Sequence, residues 1–346
     1  MKIAMQLPYA GGFEQSVKQV VELEKAGLDQ VHVAEAYSFD AVSAMGYLAA
    51  RTSTIEIASG ILPIYTRTPT LIAMTAAGMD YVSGGRAILG LGASGPQVIE
   101  GFHGVPYDAP LGRTREIIEI CRKVWAREEK LTFDGKYYTL PLPEERGTGL
   151  GKPLKIINHP VRSRIPIYVA SLGPKNIELT AELAEGWLPL FFMPGKADEV
   201  FGESLGAGFA KRDPALGQLE IVAGGLVAIG DDVKSVLDMS RPLVALYVGG
   251  MGAKGKNFYN ALVRRYGFEA EAEQIQALYL AGNKREAEAA VPLELLEAIN
   301  LVGTEGEVRE KLTQFADAGV TVLNAVPIAS PEDQPRMIDR LKTWIS

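Results

Sequence analysis

Apolar residues along the chain fall into two alternating textures. Short apolar runs (IAMQL, VHVAEA, IEIASGIL, AILGLG) have the length of buried strands. Helical patterns lie between them. In SVKQVVELEKAG, Val17, Val20, Val21 and Leu23 recur at helical spacing, with charges on the other face. DAVSAMGYLAART and TLIAMTAAGMDYVSG read the same way, with broader apolar stripes. A helix–glycine–strand junction recurs at Ala26-Gly27-Leu28, Gly84-Gly85-Arg86, Glu185-Gly186-Trp187 and Ala318-Gly319-Val320. Glycine ends a helix cheaply because it accepts left-handed backbone. The pattern predicts eight strands, near residues 2–7, 28–34, 54–61, 86–92, 166–171, 187–192, 220–229 and 321–326. Strands alternating with helices imply a parallel sheet. Eight of them fit an α/β fold of the (β/α)8 TIM-barrel type, a single domain over residues 1–346. A doubly wound open sheet has the same periodicity. Two segments interrupt the rhythm. Residues 128–165 are rich in Gly and Pro, with a hairpin expected around Asp134-Gly135. Residues 240–302 read as mostly helical, without a clear strand. Both are read as insertions, after strand 4 and strand 7, on the strand-to-helix side.

Composition narrows the class. The chain has 346 residues, 47% hydrophobic and 22% charged, which is globular rather than disordered. A net charge of −7 makes sequence-independent nucleic-acid binding a poor fit, since that needs a basic face. Cys121 is the single cysteine, so no internal disulfide forms and a reducing compartment fits best. No apolar run approaches the ~18 residues of a membrane helix, and the opening MKIAMQLPYAGGFE lacks a signal peptide's apolar core. The expectation is a soluble cytoplasmic protein.

Several motifs carry candidate chemistry. Gly90-Leu91-Gly92-Ala93-Ser94-Gly95 matches G-x-G-x-x-G. A dinucleotide site needs an acidic residue ending a second strand ~20 residues on. That region here is the helical RTREIIEICRKVWA, and the motif follows the fourth strand. It reads instead as a strand end where backbone approaches a ligand closely. Gly147–Lys152 fails as a P-loop, because Arg146 stands at the first glycine position and Pro153 at the Ser/Thr position. In IPIYVASLGPKN a strand ends at Ala170-Ser171 and Gly173-Pro174 opens a helix. Free N–H groups, the helix dipole and Lys175 suit a phosphate there, with simple capping as the alternative. His32, His103 and His159 show no metal-ligand spacing, and no metal is expected. His32 reads as core and Cys121 as a packed thiol. Lys254, Lys256, Arg264 and Arg265 form a basic cluster, either a polyanion clamp or a solvated helix face. Glu35 follows the strand LDQVHVA, where barrels keep their chemistry; capping or ion-pairing the next helix is the bland alternative.

Taken together, these residues resemble the luciferase-like (bacterial-luciferase-type) flavin and deazaflavin oxidoreductases, and more narrowly the branch that uses coenzyme F420. The similarity runs nearly end to end, through SGILPIYTRTPTLIAMTAAGMDYVSGGRAILGLGASGPQVIEGFHG (59–104), RTREIIEICRKVW (113–125), TGLGKPLKI (148–156), IPIYVASLGPKNIELTAELAEGW (165–187) and GTEGEVREKLTQFADAGVTVL (303–323). The resemblance implies a (β/α)8 barrel with the cofactor ring at the C-terminal strand ends. It implies a non-prolyl cis peptide at Gly60-Ile61, pressing on the ring. Ser171, Leu172, Gly173, Pro174 and Lys175 would hold the phosphate. Gly92, Ala93, Ser94 and Gln97 would line the ring or its side chain. Thr66 and Arg67 match the deazaflavin branch, and the basic cluster would meet the coenzyme's acidic tail. Glu35 is the implied catalytic residue, touching the ring or moving a proton. The chain departs from some relatives, with Glu35-Ala36 where they place Asp-His and Gly95-Pro96 where they place a glutamate. That argues against a sugar-phosphate or simple alcohol dehydrogenase.

The implied activity is hydride transfer between the deazaflavin C5 and an unidentified apolar or conjugated small molecule, lined by Tyr37, Phe39, Phe191, Phe192 and Met193. An FMN-dependent monooxygenase, with Arg113 or Arg115 on the flavin phosphate, is the close alternative. A non-catalytic flavin- or deazaflavin-binding protein is the second. Pairing into a homodimer is expected from the resemblance.

Overall fold

The computed structural model describes residues 1–8, 11–252 and 254–345. Eight parallel strands form its centre: β1 (Lys2–Gln6), β2 (Gln30–Val33), β3 (Glu56–Ser59), β4 (Ala87–Gly92), β5 (Ile167–Val169), β6 (Gly186–Trp187), β7 (Glu220–Ala223) and β8 (Val322–Asn324). Each pairs with the next, and β8 pairs back onto β1 with Lys2 opposite Val322. The sheet is therefore a closed barrel, which excludes the open alternative. Eight helices surround it: α1 (Phe13–Lys25), α2 (Ala41–Arg51), α3 (Pro69–Ser83), α4 (Pro110–Ala126), α5 (Pro174–Leu183), α6 (Ala197–Phe209), α7 (Glu305–Asp317) and α8 (Gln334–Ile345).

The barrel interior is packed and graded in polarity. Ala4, Ala58, Ile88, Tyr168, Val222 and Val322 fill one buried layer. At the N-terminal end Lys2 bridges Glu56 and Glu220 at 3.0 and 3.1 Å. Gln30 donates to Glu56 and to the Tyr168 hydroxyl. His32 is buried in this interior, its Nε2 3.0 Å from Gln30 Oε1. Burial pushes its pKa down to about 4, so it is neutral near pH 7. It is a core histidine, as its place in an apolar strand suggested.

Two strands differ from the apolar runs. The run at 187–192 contributes only Trp187 to a barrel strand, Gly186–Trp187. Beyond it the backbone leaves the ladder, with Phe191 at φ 57°, and the apolar side chains pack between elements instead. The run at 220–229 breaks at Gly224-Gly225. Gly224 has φ 141°, and a Cβ there would lie 2.4 Å from the Asn324 carbonyl oxygen, so the chain turns where only glycine fits. Past the break, Leu226–Ile229 joins Leu301–Gly303 and Val326–Pro327 in a second small parallel sheet. The strand at 301–303 was hidden at the end of the helical segment, because three residues carry no readable period.

The second insertion lies between β7 and α7, on the strand-to-helix side as expected; the first lies between α4 and β5, on the helix-to-strand side, because α4 forms directly after the β4 loop and the extra chain follows it. In the first, Phe133–Asp134 pairs with Thr139–Leu140. The Glu116 carboxylate holds the hairpin by accepting the N–H groups of Lys136, Tyr137 and Tyr138. The second carries a π-helical turn at Leu246–Gly250 and helices at Phe258–Arg265, Glu269–Leu280, Lys284–Ala289 and Leu293–Ile299. No helix among the described residues is long and apolar enough to cross a membrane.

Candidate active site at the C-terminal strand ends

The site begins at the end of β3. Ser59 Oγ accepts the Gly90 N–H at 2.8 Å and donates to the Gly90 carbonyl at 2.9 Å. The chain then passes through a cis peptide at Gly60-Ile61. The Gly60 N–H is held by the Val33 carbonyl at 2.7 Å. A short strand, Leu62–Pro63, returns to pair with Leu91 and Gly92. This bulge explains the glycines of the G-x-G-x-x-G stretch. A Cβ on Gly90 would lie 1.8 Å from the Ser59 carbonyl oxygen, and one on Gly92 2.9 Å from Ile61 Cγ1. The motif serves close packing of two strand ends, not a dinucleotide turn. Ser94, just beyond, sits at φ 57°, a left-handed conformation that non-glycine residues hold only when neighbours enforce it.

Glu35 and Arg67 meet beside the bulge. Arg67 donates to both carboxylate oxygens, at 2.5 and 2.9 Å, and the two side chains are 9% and 14% exposed. Glu35 Oε2 also accepts the Ala41 N–H at 2.8 Å, at the opening of α2. Thr66 Oγ1 accepts from Arg67 at 3.3 Å and donates to the Pro63 carbonyl at 3.1 Å. Glu35, just past the end of β2, therefore ion-pairs and holds the opening of the next helix, as the structural alternative expected. Asp40 caps the same helix through Ser43, whose backbone N–H and hydroxyl hold its pKa below the usual value, with Arg67 adding to the effect.

The α5 opening is an accessible helix N-terminus. Gly173 caps it without a side-chain bond and Pro174 takes the first position. Leu172 and Gly173 are half-buried. The Ser171 hydroxyl is engaged with Thr180 at 2.8 Å, and its carbonyl accepts Trp187 Nε1, so Ser171 offers a ligand no free hydroxyl. Lys175 is 79% exposed and pairs with Glu178 at 2.9 Å. Lys175 and Lys211 together pull the Glu178 pKa down to about 2. Asn176 Oδ1 is buried in the same turn without a partner. Its only local signal in the sequence is its place beside Lys175 in the opening turn. Ala93 and Ser94 are half-buried beside the bulge, and Gln97 is exposed on the following short helix, Pro96–Gly101.

The second insertion reaches this opening. A Cβ on Gly173 would lie 3.8 Å from Phe258 Cε1. Arg265 donates to the Leu172 carbonyl and to the Val200 carbonyl, and lies over the Phe201 ring. Arg264 is held by Asn260 and Glu269. The basic cluster thus divides. Its arginines fix the insertion, while Lys254 and Lys256 are exposed and make no ion pair or hydrogen bond among the described residues.

Aromatic side chains converge above the strand ends. Tyr247 and Tyr259 pack edge to face at 4.7 Å, and Phe191 meets them at 5.8 and 6.3 Å. The Tyr107 hydroxyl donates to the Ser94 carbonyl. Burial raises the pKa of both insertion tyrosines; Tyr37 adds to the shift at Tyr247, and Tyr247 and Tyr107 at Tyr259. Of the lining expected from sequence, Phe191 belongs here; Tyr37 is exposed and meets Phe102 instead. Phe39 is 94% exposed, while Phe192 stacks on Phe201 and Met193 is buried in the core. Tyr107, Tyr247 and Tyr259 were missed, because nothing local in the sequence links residues so far apart. Arg113 is clamped on Asp108 and packed over Tyr65, Tyr137 and Tyr138. Arg115 is clamped on Glu182. Neither guanidinium is free for a flavin phosphate.

A closed barrel with its glycine-lined bulge and loaded strand ends defines a class, and sequence comparison agrees. The luciferase-like monooxygenase family model matches residues 1–322, and the chain belongs to that family. A Mycobacterium tuberculosis protein named for coenzyme F420-dependent oxidoreductase activity is 41% identical over 327 residues, covering 93% of this chain and 94% of that one. The 5,10-methylenetetrahydromethanopterin reductase of Archaeoglobus fulgidus is 28% identical over 316 residues, covering 89% and 88%. Among solved structures, the coenzyme F420-dependent tetrahydromethanopterin reductase from Methanopyrus kandleri superposes with a TM-score of 0.77 at 22% identity, covering 99% and 98%. At this identity the likeness shows the barrel fold.

Proposed function

We propose that this chain is a coenzyme F420-dependent oxidoreductase that moves hydride between the deazaflavin C5 and a small-molecule substrate. The bound deazaflavin supplies a two-electron hydride carrier without the ring nitrogen that supports oxygen activation. One observation carries the choice over FMN. Among the described residues Lys254 and Lys256 have no ion-pair partner on this acidic protein, and they stand four and two residues before Phe258, which packs on the α5 opening. A cofactor with an acidic tail beyond its phosphate uses them; FMN ends at its phosphate.

The roles follow from position. Gly60, Ile61, Gly92 and Ala93 support one face of the ring. Thr66 and Arg67 meet its polar edge, with Glu35 fixing the guanidinium and serving as the acidic group nearest the chemistry. Ser94 and Gln97 flank the cofactor side chain. Ser171, Leu172, Gly173, Pro174 and Lys175 form the phosphate seat, where N–H groups and the helix dipole favour an anion. The Lys175–Glu178 pair is exposed, and such pairs exchange partners at little cost. Replacing both Lys254 and Lys256 by serine is expected to weaken F420 binding by about tenfold, ~1.4 kcal/mol for two exposed contacts. The loss shrinks at high salt and FMN binding stays unchanged. A fluorescence titration checks this, and unaltered F420 affinity would count against the assignment.

We further propose a homodimer through the outer face of α3, where Leu71, Met74, Tyr81 and Val82 are exposed along a face without charge. Met74→Glu is expected to shift the sedimenting species from dimer to monomer; a wild-type monomer would rule the interface out. A single buried cysteine fits a reducing cytoplasm.

A further inference from the structure

We infer that the site is built to reduce its substrate, a planar α,β-unsaturated carbonyl compound, with the Tyr259 hydroxyl as proton donor. The inference rests on the F420 reading and goes beyond it in direction, substrate class and acid.

Three rings, Phe191, Tyr247 and Tyr259, make a wall whose members meet edge to face at 4.7 to 6.3 Å. Flat conjugated molecules bury well against such rings. The wall belongs to the site. Phe258, adjacent to Tyr259, packs on Gly173 at the proposed phosphate seat. Asn257 fixes the wall. Its amide group donates to the carbonyls of Tyr247 and Val248, and its Oδ1 accepts the N–H of Tyr259.

The hydroxyls of Tyr247 and Tyr259 make no hydrogen bond within the described residues, and neither is sealed from solvent. They are donors awaiting an acceptor. Tyr259 lies in the first turn of the helix Phe258–Arg265, where the helix dipole favours negative charge developing on its oxygen. Tyr259 is therefore the better donor of the two.

The chemistry of the surrounding groups sets the direction. Oxidising an alcohol needs a base to take the hydroxyl proton. Glu35 is doubly engaged by Arg67 and by the Ala41 N–H. His32 lies in the barrel interior, bonded to Gln30. His103 Nε2 is enclosed in protein. A tyrosine phenol is protonated at neutral pH, so it has a proton to give and cannot act as the base. In the reductive direction the balance closes. The β-carbon of the C=C bond accepts hydride from the reduced deazaflavin, which is thereby oxidised by two electrons. The π pair moves to the α-carbon and carbonyl as an enolate. The enolate oxygen takes the Tyr259 proton, the phenolate recovers one from water, and the enol becomes the ketone by taking a solvent proton at the α-carbon as its O–H proton leaves.

The test uses the whole protein, F420 and 4-phenyl-3-buten-2-one as probe. F420 affinity is measured first by fluorescence, for wild type and Tyr259→Phe, and is expected to agree within twofold. In F420-free protein the probe's absorption band is expected to shift to the red in wild type but not in Tyr259→Phe, reporting a phenol hydrogen bond to its carbonyl. With reduced F420 in D2O, the product is expected to be the saturated ketone with deuterium at the α-carbon. Tyr259→Phe is expected to lower kcat by at least about 100-fold, in the range of a lost general acid. F420 bound without consumption of the probe, or secondary alcohols oxidised as fast as the enone is reduced, overturns this inference and leaves the F420 reading intact. Absence of F420 binding overturns both.

Discussion

Gly90→Ala is expected to destabilise the protein by at least about 4 kcal/mol, or to prevent folding, placing it among the most severe single substitutions. The new Cβ would lie 1.8 Å from the Ser59 carbonyl oxygen and 2.9 Å from its carbon. That obstacle is backbone, fixed on both sides. Ser59 Oγ bonds the Gly90 N–H and carbonyl, and β3 pairs with β4 through Ile57–Ala87 and Ala58–Ile88. No rotamer relieves the overlap, so either the ladder opens or the bulge at Gly60-Ile61 moves. Gly206→Ala is the control. Gly206 lies in α6, with nothing within 4 Å of its added Cβ, and alanine there is expected to stabilise by up to about 1 kcal/mol. Urea unfolding measures both. Equal stability of the two variants would show that the close approach of β3 and β4 is not a constraint.

Arg67→Met is expected to cost about 2–4 kcal/mol and most of the cofactor affinity. Removing one member of a largely buried pair leaves the other charge without compensation, which costs more than the pair itself contributes. Glu35 keeps only the Ala41 N–H and the opening of α2. The slight exposure of the pair and that remaining bond hold the loss below the fully buried limit. Glu35→Gln removes the charge while keeping an acceptor, so the double variant is expected to be more stable than the sum of the single losses predicts. A double-mutant cycle reads this coupling directly. Additive losses would mean that the two side chains do not act as a unit.

What was legible in the sequence followed local pattern. Seven of the eight barrel strands lie within the apolar runs and β6 overlaps its run at Trp187, because a parallel barrel buries both faces of a strand and leaves a nearly continuous apolar signal. Ends were less legible. The 220–229 run hid the break at Gly224-Gly225, which exists only because Asn324 of another strand crowds that point. Leu301–Gly303 was too short to show a period. The site divides the same way. The α5 opening and the glycine-lined β4 end are contiguous in sequence and were visible in it. The Glu35–Arg67 pair joins residues 32 apart, and the Tyr247–Tyr259–Phe191 wall joins two insertion segments to a loop that β6 sets. Such contacts are made by the fold, and composition cannot announce them.

The central claim is the identity of the cofactor. Parallel fluorescence titrations of the purified wild-type protein with coenzyme F420 and with FMN test it most directly. The account predicts tight, salt-sensitive binding of F420 and FMN binding weaker by at least about tenfold. Preference for FMN would contradict it, and would turn the same barrel towards oxygen-dependent chemistry.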